Sequence, residues 1–308
     1  MKMSFRKVWR DLWRNKGRTL MVIMSISVGV MAVGMVVSGN TLVLGQMASS
    51  HIESNPAHGI LWLAGIVDED VIRSLERIPS VKGIEGYSDT DVHWKTTLDS
   101  EWEDGHIISY ADLEHQTYDR MTLKEGAWPE NKHIGVEAAH IDSYGAPGIG
   151  GMVYFEINEH PRAYTVNGIL RNPWEFPTPF SEHAAFYVTQ DDFTRIAGYH
   201  GFNVLEITVP EYSKENVQQA IDDINEKLKP QGVSVAYSEI LHPKEHYLQE
   251  MINGVGLVLT IMAIASLGLS VMLVINTINA LIAQQIPQIG ILKAIGSSHQ
   301  DYVVVRWR

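Results

Sequence analysis

Two long apolar runs bracket a middle of mixed periodicity. The first, Thr19 to Leu44, reads TLMVIMSISVGVMAVGMVVSGNTLVL. The second opens at Ile252 as INGVGLVLTIMAIASLGLSVMLVINTINALIA and ends at Ala283. No Asp, Glu, Lys or Arg falls between Glu250 and Lys293. Each run exceeds the ~20 apolar residues with which a helix crosses a ~30 Å hydrocarbon core. The pattern therefore predicts transmembrane helices over 19–44 and 251–283. The first run is also well beyond the ~7–15-residue apolar region of a cleaved signal peptide.

Between the runs, periods of 2 and 3.6 alternate. Gly59–Ile66 reads as a buried strand, Asp68–Ile78 as a helix with Val71, Ile72, Leu75 and Ile78 on one face, and Val81–Tyr87 as a strand. A unit of the same shape recurs late. Val204–Val209 is a strand, Ser213 caps a helix carrying Val217, Ala220, Ile221, Ile224 and Leu228, and Val233–Tyr237 returns as a strand. Met152–Ile157, Ala163–Leu170 and Ala184–Val188 are further strands within a middle that is mainly β, about 120–196. The fold class is a membrane protein, two transmembrane α-helices flanking an α+β extracytoplasmic domain over 45–250. In that domain two βαβ-like units bracket an inserted mainly-β lobe.

Charge decides the orientation. Residues 1–18 hold seven Lys/Arg against Asp11, whereas 45–250 hold 14 Lys/Arg against 34 Asp/Glu. Basic ends around an acidic middle follow the positive-inside rule, with both flanks cytoplasmic and the chain multi-pass in the cell membrane. The basic N-terminus runs straight into a span, so nucleic acid is not its partner. Phe5, Val8, Trp9, Leu12 and Trp13 share a helical face, with Arg10 and Arg14 off it. That stretch reads as an interfacial helix over 1–18 that anchors in the headgroup layer, the alternative being a plain charged flank of the span. Ser25/Gly29 and Gly34/Ser38 are small residues four apart, where another helix can approach closely.

Candidate chemistry is sparse. His242-Pro243-Lys244-Glu245-His246 matches the H-x-x-E-H pattern of some zinc proteases, but Pro243 limits a helix there and no third ligand is apparent. The glycines of 145–151 lack the Lys-Ser/Thr of a phosphate loop and precede a strand, so they read as a turn. There is no Walker A sequence, so any ATP is bound by a partner and no cofactor or metal is expected on this chain. Asn172–Phe180 is a Pro- and aromatic-rich loop, either a docking surface or aromatics folded onto the sheet. After the second span, Ile286, Ile289, Leu292 and Ile295 repeat at helical spacing between Pro287 and Gly296. This predicts a short amphipathic helix, 284–298, that docks a partner on the cytoplasmic side. Tyr302–Val305 reads as a fresh apolar start, the beginning of a third span cut short within 299–308.

The stretch Ile289-Gly290-Ile291-Leu292-Lys293-Ala294-Ile295-Gly296-Ser297-Ser298 resembles the coupling-helix signature of FtsX-like ABC transporter permeases of the MacB/LolC type. Glu125-Gly126-Ala127-Trp128-Pro129 and Tyr164–Ile169 are similar to recurring stretches of that family's MacB-like periplasmic core domain. Gln288 stands where the family usually carries an acidic residue. The resemblance implies a non-enzymatic permease subunit that couples ATP hydrolysis on a partner ABC ATPase to movement of the extracytoplasmic domain. Its coupling residues would be Ile286, Gln288, Ile289, Gly290, Leu292, Lys293, Ile295 and Gly296. Its other partners would be a second permease subunit or copy, the bilayer, and an extracytoplasmic partner or substrate. A two-span extracytoplasmic sensor and a membrane-anchored metalloprotease are the rival readings.

Overall fold

A computed structural model of the chain describes residues 13, 16–175, 181, 183–246 and 248–294. Helix α1 spans Lys16–Glu53, followed by β1 (Gly59–Val67), α2 (Glu69–Leu75), β2 (Gly83–Lys95) and β3 (Glu103–Tyr110). The centre holds β4 (Thr122–Gly126), β5 (His133–Glu137), α3 (Ile141–Tyr144), β6 (Met152–Ile157), β7 (His160–Arg171) and β8 (Ala184–Tyr187). Then come α4 (Gln190–Ala197), β9 (Phe202–Thr208), α5 (Lys214–Leu228), β10 (Ser234–Ile240) and α6 (Gln249–Ala294). The elements fall into two compact units. One holds α1 up to Gly45 together with α6, the other runs from Gln46 to Tyr247.

In the first unit both helices are long and apolar enough to cross a membrane, over Leu20–Glu53 and Gln249–Ala280, and protein covers little of either. Met21 is 69% exposed and Leu269 70%. Apolar side chains on all sides of a helix need hydrocarbon around them. The chain is thus a membrane protein whose helices carry an α+β domain. The second span and the short helix expected from 284, set off by an interruption at Pro287, are one element as far as Ala294, because α6 continues through Pro287. A proline within a helix removes one backbone hydrogen bond and crowds one carbonyl, so it can be carried as a local defect without ending the helix.

The domain unit is built from two lobes that share a sheet. In the first lobe the strand order is β10-β1-β9-β2, with β9 antiparallel to both β1 and β2. The two βαβ units therefore interleave. Each leaves a gap between its strands that a strand of the other fills, which is the split βαβ arrangement. Local signals set the helices: Asp68 accepts from the Val71 amide at 2.8 Å and Ser213 from Asn216 at 3.0 Å. Helix α2 stops at Leu75, one turn before Ile78. Val217, Ala220, Ile221, Ile224 and Leu228 of α5 are all buried and pack with Leu61, Leu75, Leu205 and Ile207.

The second lobe is a closed ring. β2 pairs β3, β3 pairs β8, β8 pairs β5, β5 pairs β7, β7 pairs β6, and β6 returns to β2 at Trp94↔Phe155. Six strands closed in this way leave no free edge. Trp94, Phe155 and Phe186 fill the interior, with ring centroids 4.9 Å and 5.3 Å apart across edge-to-face contacts. β2, 13 residues long, belongs to both lobes: Gly83–Tyr87 pairs with β9, and Tyr87–Trp94 pairs with β3.

A part-buried ion pair ties the segment after β7 to the sheet at β3. His106 Nε2 lies 2.9 Å from Glu175 Oε1. Burial disfavours the imidazolium, but the Glu175 hydrogen bond and the charges of Glu175, Asp89 and Asp91 outweigh it and lift His106 to about 9. A histidine whose folded value is raised adds stability that is complete below its unfolded value near 6.5 and is lost as pH rises through about 9. Unfolding of the His106→Gln protein should therefore lose the decline in stability that the unsubstituted protein shows between pH 7 and pH 9.5. Thermal melts across that range check this.

Candidate functional site

The helix pair of the membrane unit meets through small residues. Ser270 Oγ donates to the Ser25 carbonyl at 2.9 Å, within reach of its own Ser266 carbonyl at 3.0 Å. A Cβ on Gly29 would stand 3.0 Å from Ser270 Oγ and 3.4 Å from the Leu267 Cα. Gly256, Ala263 and Ser270, seven residues apart, are buried on α6, which is the repeat of a left-handed helix pair. Ser25 and Gly29 thus stand at the contact. Gly34 and Ser38 do not: both are exposed, and a Cβ on Gly34 would meet no described atom within 4 Å. At about 100° per residue, five residues beyond Gly29 turn Gly34 away from the partner.

The coupling segment continues α6. Ile286 is exposed, and Gln288, Ile289, Gly290, Leu292 and Lys293 are helical in backbone, with side chains outside the described atoms. Ile295 and Gly296 lie outside the described residues, as do Trp9, Arg10 and Arg14. Trp13 is exposed, with the Lys16 ammonium 5.7 Å from its ring.

His242–His246 forms a turn and not a helix. His242 Nδ1 accepts from the Lys244 amide at 3.2 Å, and its ring stands edge-on to Tyr212 at 5.1 Å. His246 faces His51 at 5.4 Å. Burial, and then the neighbouring His51 and Arg171, push His246 down to about 4. Among the described residues no three His, Asp or Glu side chains are arranged to hold a metal ion. In the 172–180 loop, Trp174 folds against Ile60, Val204 and Leu241, whereas Phe176 and Phe180 lie outside the described residues.

A dense polar arrangement in the domain unit surrounds the chain leaving α1, and the sequence pattern does not single it out. Residues 112–121, which link β3 to β4, strap this stretch down. Asn55 Nδ2 donates to the Thr117 carbonyl at 2.7 Å, and the Asp119 and Arg120 amides donate to Asn55 and Ser54 at 3.2 and 2.9 Å. Arg120 donates to the Glu53 carbonyl at 2.9 Å, and Asp119 Oδ2 accepts from the Ala57 amide at 3.1 Å. From the other side His51 Nε2 lies 3.2 Å from the His242 carbonyl. Beneath the strap, Glu85 accepts from the Thr117 and Tyr118 amides at 2.8 and 3.0 Å, and Glu206 stands directly across from Glu85 on β9. One signal could have found it: Glu206 is a lone charge in the apolar strand Val204–Val209.

No family model matches the chain. Among solved structures the chain is similar to the extracellular domain of the noncanonic ABC-type transporter YknZ from Gram-positive bacteria. That match has 10% identity and a TM-score of 0.40, over 60% of this chain and 100% of that one. It is also similar to the periplasmic region of MacB from Actinobacillus actinomycetemcomitans, at 12% identity and a TM-score of 0.40, over 63% of this chain and 91% of that one.

Proposed function

We propose that this chain is the membrane subunit of an ABC-type complex of the FtsX-like, MacB/LolC type. In this reading it binds no nucleotide itself. A partner ATPase seats against 284–298, and α6 relays the displacement to the domain unit, which lies outside the cell membrane while both basic flanks face the cytoplasm. A second permease subunit or copy completes the membrane part, and the domain engages an extracytoplasmic partner or substrate. The carrying observation is that the Ile289–Ser298 pattern begins on the same helix as the second apolar run, which extends unbroken from Gln249 to Ala294. An unbroken helix moves as one body over short distances, which a flexible linker does not. Apolar positions Ile286, Ile289, Leu292 and Ile295 at helical spacing supply a docking face.

The test is co-purification with an ABC ATPase of the MacB/LolC type co-expressed with this chain. The unsubstituted protein should retain the ATPase through a membrane extraction, and the Leu292→Asp/Ile295→Asp protein should lose it. Undiminished retention by the double variant would remove the coupling assignment.

A further inference from the structure

The strap over the end of α1 rests on carboxylates that no cation among the described residues balances. Asp119 and Glu206 are each 1% exposed, and Glu85 is half-buried beside them. The groups that act on Asp119 are the Ala57 amide, the Trp174 indole and the Glu85 carboxylate. Those acting on Glu206 are Asp119, Glu85 and the Tyr110 hydroxyl, which donates to Oε1 at 3.2 Å. Glu85 is faced by the Thr117 and Tyr118 amides and by the Asp112 carboxylate. Tyr87, stacked on Tyr110 at 4.9 Å, closes the cluster from β2. The guanidinium of Arg120 turns instead to the Glu53 carbonyl. Among the described residues, no Lys, Arg or His is thus placed against the trio. Burying an ionised carboxylate beside others is costly, and a proton removes the cost.

We propose that the strap and the end of α1 form a proton-sensitive clasp: protonation of Asp119 and Glu206 tightens the hold of residues 112–121 on Glu53–Ala57, and their ionisation loosens it. Geometry sets the link, because one of the groups that hold the chain after α1 is the Asp119 carboxylate itself, through the Ala57 amide, and prising Ala57 away opens that carboxylate to water. Burial first, then the charge of Glu85, lifts Asp119 to about 6 despite the Ala57 and Trp174 donors. Burial, Asp119 and Glu85 raise Glu206 further.

The sign follows. A carboxylate whose value in the closed clasp is raised binds its proton more tightly there than when exposed. The closed state is therefore favoured as pH falls and weakened as pH rises through the raised value. With Asp119 at about 6 closed and 3.8 exposed, the opening constant rises about tenfold between pH 5 and pH 8, and Glu206 adds to this. His246, at about 4, stays neutral over that range. The inference stands on the domain unit and does not require the ATPase reading.

Hydrogen exchange on the full chain in lipid nanodiscs, without any ATPase, tests it. The readout is the protection factor, corrected for intrinsic exchange, of the Ala57, Asp119 and Arg120 amides, with α5 amides as reference. Protection should fall at least about tenfold from pH 5 to pH 8 relative to α5. The Asp119→Asn/Glu206→Gln protein should show no such fall. Should that double variant not fold, Glu206→Gln alone, isosteric with the protonated acid, should show a shallower one. Constant protection in the unsubstituted protein, or a wild-type fall in whichever variant folds, overturns the proposal.

Discussion

Replacing Glu137 by alanine is expected to lower the stability of the domain by about 3 kcal/mol, and its melting temperature by roughly 6–12 °C. The side chain is fully buried at the end of β5 and gathers donors from the end of β7, the residue after it, and β8. Arg171 Nη1 lies 2.9 Å away, the Asn172 amide 2.9 Å and the Tyr187 hydroxyl 2.7 Å. Alanine would leave a buried hydroxyl and a buried amide without an acceptor, each costing about 1–3 kcal/mol. Arg171, 35% exposed, can turn to water, which keeps the loss below that of a wholly buried ion pair. Glu137→Gln keeps one acceptor oxygen and the volume, so it should lose roughly half as much. Thermal melts of the full chain in nanodiscs decide it. A Glu137→Ala protein melting within 2 °C of the unsubstituted one would show that these bonds are not held in solution.

The second large effect concerns the membrane helices. Leucine at Gly29 should separate α1 from α6, because its Cβ alone would reach 3.0 Å from Ser270 Oγ, with the Leu267 backbone behind. Helices in lipid associate through close packing and interhelical hydrogen bonds and gain nothing from the hydrophobic effect, so losing close approach removes most of their attraction. The chain contains no cysteine, so a Ser25→Cys/Ser270→Cys pair reports on this contact without background. Its cross-linking yield by a short thiol reagent should fall at least about tenfold when Gly29→Leu is added. Gly34→Leu, facing away from the contact, is the matched control and should leave the yield unchanged. Equal loss from both, or from neither, would contradict the small-residue contact.

What the sequence alone determined is what depends on short-range physics. An apolar run longer than a bilayer is thick must be helical, since every backbone polar group has to be satisfied within the segment. Asp68 and Ser213 cap their helices because a side chain two or three residues from an amide needs no tertiary partner. The buried face of α5, from Val217 to Leu228, and the alternation of Met152–Ile157 follow from the helix and strand periods.

Tertiary structure decided the rest. The run from Ser88 to Lys95 is dominated by polar residues, and only Val92 and Trp94 give it apolar alternation. It is strand because β3 and β6 supply its hydrogen bonds. The insertion of β9 between β1 and β2 joins segments more than a hundred residues apart, the ring of six strands closes between the distant Trp94 and Phe155 and between Gly105 and Ala184, and no local pattern encodes that pairing. Pro287 is a helix breaker by propensity, yet α6 passes through it. The hold on the chain after α1 was invisible for the same reason. Glu85, Asp119 and Glu206 are ordinary polar residues until the fold draws them together out of water, and burial, which no single residue carries, is what makes their charges matter.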